Sequence, residues 1–319
     1  MNIGLDMMGG DFAPLEAVKG IAAYLKGKSD PAHIPHLFLI GDEPQVAALL
    51  AEYNIPTPAY TLVPSTQVIE MNEHPTKALK EKPDSSISKG FGLLKLGKTD
   101  AFISAGNTGA MLVGTIFSIK TIEGVTRPTV STIVPRENGK TGLILDVGIN
   151  ADCKPEMLNQ FAVLGSGYAQ YILGIENPRV GLINIGEEEG KGNLLAQAVY
   201  PLLKENKSIH FIGNIEGRDI LDDKADVMIC DGFTGNILLK LLESLHPITE
   251  RQNIHHPYFD RFNFEQYGGS PVLGVEKPVI IGHGISGSEA FKNMIVLAEK
   301  MIQSDMLGKM KDSLSEVGQ

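Results

Sequence analysis

The chain has no tryptophan and two cysteines, Cys153 and Cys230, among 319 residues. Two thiols in so long a chain do not make a disulfide framework, so a reducing, cytoplasmic setting is expected. No apolar run approaches the ~20 residues of a membrane span. The opening MNIGLDMMGGD carries Asp6 and Asp11 but no basic n-region, and predicts no secretory signal. An excess of cations is also missing. Lys and Arg total 28 against 38 Asp and Glu, a formal charge of −10, and no basic stripe points to nucleic acid. A local cationic pocket for an anionic substrate stays open, as does a basic patch for an acidic carrier protein.

Catalytic signatures are scarce as well. There is no GxxxxGK[ST], no clean GxGxxG after the first strand and no GxSxG elbow. HExxH and CxxC are absent, so neither a metal nor a cofactor is expected. Cys153 follows Asp152 and Cys230 precedes Asp231, neighbours that raise a thiol pKa, so both cysteines read as core or turn residues.

What is present is alternation. Strand-like runs at 2–8, 36–40, 59–63, 100–105, 129–134, 142–147, 180–185, 209–212, 226–230 and 278–281 are separated by helical patterns. Those helices are expected at 14–25, 43–53, 85–96, 106–122, 155–172, 190–204, 232–245 and 288–307. Such alternation over the whole length predicts a mostly parallel, doubly wound α/β sheet. No linker rich in Pro or Ser divides it, so 1–319 reads as one domain. Residues 70–84 are polar and lysine-dense, and 246–269 read as an irregular excursion broken by His246, Pro247 and Pro257.

The most informative stretch is DVGINADCKPEMLNQFAVLGSGYAQYILG, residues 146–174. An apolar strand ends in a polar turn, and Pro155 sits where a helix would begin. Leu158, Phe161, Ala162, Gly165, Ala169 and Ile172 then recur at helical spacing. Gly165 and Gly167 each cost a helix about 1 kcal/mol against Ala, tolerable where another helix, of this chain or a partner subunit, packs close.

Glycine-bearing turns follow several strands: DMMGGD, SAGNTGA, NIGEEEGKGN, CDGFTGN and GHGISGS. One such turn is ordinary architecture. Five, with Asn, Thr, Ser or Lys beside the glycine, favour phosphate bound by backbone donors at the carboxyl ends of the strands. Gly106, Asn107, Thr108, Gly232 and Gly235 are the candidate cradle residues. Lys191 opens a helix where it could neutralise phosphate, although Glu187, Glu188 and Glu189 beside it would repel the same anion unless paired. Lys77, Lys80 and Lys82 suit a solvated face or an anion site. His283 lies between two glycines at a strand end, as a turn residue or a functional one.

Taken in order, these segments resemble the PlsX family, the acyl-acyl carrier protein:phosphate acyltransferases of bacterial phospholipid synthesis. The likeness rests on LDMMGGDFAP, ALKEKPDSS, DAFISAGNTGA, DVGINADCKPEMLNQFAVLGSGYA, RVGLINIGEEEGKGN, FIGNIEGRDIL, ADVMICDGFTGNILLK and YGGSPVLGVEKPVIIGHG, which span most of the chain. It implies a three-layer α/β/α sandwich like the phosphate acetyltransferases and the isocitrate/isopropylmalate dehydrogenase group, working as a homodimer. It also implies transfer of a long-chain acyl group from acyl carrier protein to inorganic phosphate, for use by a membrane glycerol-3-phosphate acyltransferase. That role would set a cytoplasmic enzyme at the inner face of the plasma membrane. Two departures stand out. Residues 246–267 are shorter and more polar than the family's amphipathic hairpin, and Lys80-Glu81-Lys82 stands where the family often begins with arginine, which would lose bidentate geometry.

The chemistry expected is direct attack of phosphate on the thioester. Asn236, Lys191, Lys82 and His283 are the candidate catalytic residues, and the 238–245 stripe is either an acyl groove or packing. Rival expectations are a short-chain phosphate acyltransferase using acyl-CoA, a pyridine-nucleotide dehydrogenase, and a carrier-binding scaffold without activity.

Overall fold

The apolar runs and glycine turns fold as strand–helix units, described for residues 1–28 and 34–317 of a computed structural model. In chain order they open with β1 (Asn2–Asp6), α1 (Leu15–Lys26), β2 (His36–Gly41), α2 (Glu43–Glu52), β3 (Tyr60–Pro64), α3 (Pro75–Glu81), α4 (Ser86–Lys95), β4 (Ala101–Ser104) and α5 (Thr108–Ser118). Next come β5 (Thr129–Pro135), β6 (Thr141–Leu145), α6 (Pro155–Tyr171), β7 (Arg179–Ile183), α7 (Leu194–Glu205), β8 (His210–Ile215), β9 (Val227–Ile229) and α8 (Gly232–Arg251). The chain closes with α9 (Pro257–Asp260), β10 (Ser270–Leu273), β11 (Val279–Ile281), α10 (Ser288–Gln303) and α11 (Met306–Val317).

By its contacts the chain divides into two compact units. One holds Met1–Lys120, Phe264–Pro271 and Val275–Gln303; the other holds Thr121–Asn263, Val272–Gly274 and Ser304–Gln319.

In the first unit the strand order is β3-β2-β1-β4-β11, and every pairing is parallel. The central strand β1 sets Leu5 beside Leu39 of β2 and Ile103 of β4, all wholly buried. Burial of consecutive residues, hence of both faces, is what helices on either side of a parallel sheet require. α4 starts at Ser85, whose hydroxyl oxygen accepts the Ser88 amide at 3.2 Å, as a cap should. Within the polar stretch 70–84, Pro75 opens the short helix α3.

In the second unit the order is β10-β5-β6-β9-β7-β8, with β10–β5 and β5–β6 antiparallel and the remaining pairs parallel. α6 begins at Pro155 as the sequence predicts. Its glycines have separate reasons. A Cβ on Gly165 would meet Val227 at 2.7 Å and Leu145 at 2.9 Å, so the helix lies hard against the sheet. Gly167 faces Met310 of α11 at 3.1 Å, so its close neighbour is a helix of this chain. At the amino-terminal edge, wholly buried Arg136 bonds Asp223 at 2.9 Å and Asp226 at 2.7 Å. Arg179 binds the same two carboxylates. Burial alone would raise the Asp226 carboxyl, but hydrogen bonds from Arg179 and Arg136 outweigh it and hold it well below the usual range.

Three expectations change. α8 does not stop at residue 245; it runs to Arg251 with Pro247 inside it. The excursion 246–269 is thus largely ordered, as the end of α8, α9 and a short 3₁₀ turn, Phe264–Tyr267. The helix expected at 190–204 starts only at Leu194, capped by Asn193, because the preceding glycines form the turn.

Candidate functional site

In the first unit the candidate residues gather where β1, β4 and β11 end. Asp6 closes β1 and is fully buried. Its carboxylate accepts the Ser104 hydroxyl at 2.7 Å and the Met8 amide at 2.9 Å. Burial raises its pKa, against the hydrogen bonds from Ser104, Ser86, Met8 and Gly9. The Ser104 hydroxyl oxygen in turn accepts the Gly106 amide at 3.0 Å, which fixes the SAGNTG turn.

Asn107 caps α5. Its side-chain oxygen accepts the Ala110 amide at 2.9 Å, while its NH₂ donates to the carbonyls of Glu70 (2.9 Å), Glu73 (3.1 Å) and Met71 (3.3 Å). That side chain is saturated. With Gly106 and Ala110 engaged, the amides of Thr108 and Gly109 are the donors of this helix start that have no hydrogen-bond partner among the described residues.

Lys82 lies elsewhere. Its ammonium donates to the Val68 carbonyl at 2.7 Å and to Glu73 at 2.5 Å, so it fastens the 68–73 loop and is not an open cation for phosphate. His283 follows β11, half-buried, with its ring 5.0 Å from that of Phe264 and its Nδ1 accepting the Ile285 amide at 3.4 Å. The next residue joins this turn to the first one, since the Asp11 amide donates to the Gly284 carbonyl at 2.7 Å.

The second unit builds a parallel arrangement. Asp146, also fully buried, follows β6. It accepts the amides of Asn150 at 2.7 Å and of Gly148 and Ile149 at 3.2 Å each, besides the Asn150 side chain at 2.8 Å. Gly148 has a φ of +144°, a conformation that favours glycine. Asn236 donates to the Val147 carbonyl at 3.1 Å, and the residue remains exposed.

Gly232 and Gly235 are packing glycines. A Cβ on Gly232 would lie 2.7 Å from the Asn150 carbonyl oxygen, and one on Gly235 would overlap the Asp146 carbonyl. Their amides donate to the carbonyls of Asn150 and Asp231, so the backbone donors expected of them are already engaged. Cys153 is pushed up to about 12 by burial, with Asp146, Asp231 and Asp152 adding to the shift. Burial also pushes Cys230 well above the ordinary thiol range. Neither thiol is an activated nucleophile.

Lys191 sits on a separate turn of this unit, where Asn184 donates to its carbonyl at 3.0 Å. Two of the neighbouring glutamates are neutralised, Glu187 by Lys224 at 2.5 Å and Glu189 by Lys204 at 2.8 Å. Among the described residues no carboxylate pairs with the Lys191 ammonium. Glu187, Glu216 and Asp219 lie close enough to hold a cation, but Lys224 bonds Glu187 and Asp219 instead.

The frame residues Asp6, Ser104 and Asp146 escape a search for nucleophiles and cations. Their sequence signal is an aspartate closing an apolar run just before a glycine turn, in LDMMGG and LDVG.

The fold is that of the phosphotransacetylases. A phosphotransacetylase from Streptococcus pyogenes superposes with a TM-score of 0.66 at 20% identity, over 95% of this chain and 94% of that one. The EutD phosphotransacetylase from Staphylococcus aureus gives 0.61 at 16%, with the same coverage. In sequence, residues 1–309 match the family described as fatty acid synthesis protein. A phosphate acyltransferase of Halothermothrix orenii is 42% identical over the whole of both chains. One from Dictyoglomus turgidum is 40% identical over 99% of this chain and 98% of its own. The chain belongs to the fatty acid synthesis protein family, the PlsX family, and is an acyltransferase. Among the described residues no helix is long and apolar enough to cross a membrane.

Proposed function

We infer that the protein transfers a long-chain acyl group from acyl carrier protein to inorganic phosphate. The observation that carries this reading is the start of α5, where a buried Asp6–Ser104–Gly106 frame holds open the Thr108 and Gly109 amides. A phosphate oxygen attacks the thioester carbonyl carbon, the C–S bond breaks, and the carrier leaves as its thiol once protonated. No acyl-enzyme forms, in keeping with two suppressed thiols. The chain's work is to position the two reactants and stabilise the oxyanion. The Thr108 and Gly109 amides are the donors, Lys191 is the candidate charge partner of phosphate, and Asn236 and His283 are candidate hydrogen-bonding groups. No nucleophilic side chain and no cofactor is needed for these steps.

The product, an acyl phosphate, suits a membrane glycerol-3-phosphate acyltransferase as its consumer, with this protein peripheral at the inner face of the membrane. A homodimer is supported by α8, which leaves Phe233, Ile237, Leu241 and Ile248 exposed at helical spacing.

The test is a hydroxylamine trap with palmitoyl-acyl carrier protein, palmitoyl-CoA and acetyl-CoA as donors. Hydroxamate that forms only with the carrier-protein donor, and only when phosphate is present, is the expected result. Equal turnover of acetyl-CoA would assign the short-chain reaction instead. No product from any donor would leave a carrier-binding scaffold.

A further inference from the structure

We propose that Lys224 is a positioning residue for the acceptor phosphate: by holding Glu187 it leaves the Lys191 ammonium free to meet the anion. This rests on the reading above of Lys191 as the charge partner of phosphate. The turn between β7 and α7, residues 184–193, is fastened along its backbone. The Asn184 side chain donates to the Lys191 carbonyl at 3.0 Å, and the Lys191 amide donates to the Glu188 carbonyl at 3.0 Å. The buried Asn214 side chain of β8 donates to that same Glu188 carbonyl at 2.8 Å. The backbone of Lys191 is thus held from both sides, while its ammonium has no carboxylate partner among the described residues.

Three glutamates precede that lysine in the same turn, and a carboxylate that reached its ammonium would compete with phosphate for it. The Lys191 stem lies over Gly186, where a Cβ would meet its Cγ at 3.1 Å. Glu187 is the next residue along the chain. Lys224 takes it out of play: its ammonium donates to Glu187 at 2.5 Å and to Asp219 at 2.8 Å. Asp219 is buried and also accepts the Glu216 amide at 2.8 Å, so it anchors Lys224 in the turn after β8. Glu189 has no such anchor. It pairs with Lys204, and the two side chains are 58% and 59% exposed, a contact that water screens.

The test is a double-mutant cycle. Phosphate KM and donor KM are measured for the wild type, Lys224→Met, Lys191→Ala and the double variant. Lys191→Ala should raise the phosphate KM roughly tenfold or more, the loss of a charged hydrogen bond. Lys224→Met should raise it about two- to fivefold, with the donor KM unchanged. Most of that effect should vanish in the Lys191→Ala background, because it acts through the missing ammonium. Lys224→Arg should restore the wild-type value, and Lys204→Met should stay within about twofold of it. A wild-type phosphate KM in Lys224→Met, or an equal rise in both backgrounds, overturns the proposal and leaves acyl transfer standing. A rise in Lys204→Met as large as in Lys224→Met would make net charge the cause and also overturn it.

A second readout needs no turnover. Acetic anhydride at limiting dose labels free lysine amines, and peptide mass spectrometry reads Lys191 by itself. Inorganic phosphate should protect Lys191 in the wild type, and Lys224→Met should need about two- to fivefold more phosphate for the same protection. Equal phosphate dependence in the two proteins, or no protection in the wild type, overturns the proposal whether or not acyl phosphate is made. The shifted protection supports it even if the trap finds no product. A wild-type phosphate KM in Lys191→Ala would remove that lysine from the acceptor site and overturn the proposal with it.

Discussion

The Ser104 hydroxyl donates to the Asp6 carboxylate at 2.7 Å while its oxygen accepts the Gly106 amide at 3.0 Å. One side chain thus ties the end of the central strand to the turn that opens α5. Ser104→Ala removes both bonds and leaves a buried carboxyl short of a partner, at a cost of roughly 1–3 kcal/mol. Urea unfolding should show a lower midpoint at an unchanged slope, and kcat/KM in the hydroxylamine trap should fall as the turn loosens. A midpoint equal to the wild type would sink this account.

Asn107→Ala removes a helix cap, worth about 1 kcal/mol, and three bonds to the 70–73 loop. Amide exchange should accelerate across 70–73 and the first turn of α5, while the core strands keep their protection. Acceleration spread evenly over the chain would point to global destabilisation instead.

Two glycines make a paired test. Gly235→Ala would drive a methyl into the Asp146 carbonyl, whereas Gly190 has nothing within 4 Å and no positive φ. Gly235→Ala should cost at least 1–3 kcal/mol, the range for overpacking, or prevent soluble expression. Gly190→Ala should stay within about 0.5 kcal/mol of the wild type. Similar thermal midpoints for the two variants would contradict the geometry.

The Asp226 carboxyl has a folded pKa below its ordinary 3.8. The unfolded chain therefore binds its proton first. The stabilisation is fully present above that ordinary value and is lost as pH falls through the lower folded one. Asp226→Asn should flatten the acid limb of stability measured by urea titration. Asp226→Ala, which leaves the buried Arg136 with only the part-exposed Asp223 as its carboxylate partner, should cost up to about 3–5 kcal/mol. An acid limb in Asp226→Asn identical to the wild type would remove Asp226 from the balance.

Strand–helix alternation was readable because parallel strands buried on both faces are nearly continuous apolar runs, as in β1 and β6. β10 was not, since SPVL is short and gains its place from antiparallel pairing with β5, a contact distant in sequence. Pro247 predicts a break after residue 245, but α8 continues through it. The site was legible as a set of turns and less so as roles. Composition marked Gly232 and Gly235 as phosphate glycines, while only the packed neighbours reveal their amides as spent. A lysine-dense run suits a solvated face or an anion site, and only the fold brings Glu73, nine residues back, onto the Lys82 ammonium.

The first unit is assembled from both ends of the chain, with β11 beside β4 and α10 against α1. Ser104 emerges from the ribosome long before Val279. At about 5–20 residues per second, the edge of β4 waits on the order of ten to thirty seconds for its neighbour. For that interval a nascent chain carries an unpaired, apolar strand edge, which is the form most open to pairing with another chain. Yield of this protein should therefore depend on chaperone supply during synthesis more than the stability of the finished fold would suggest.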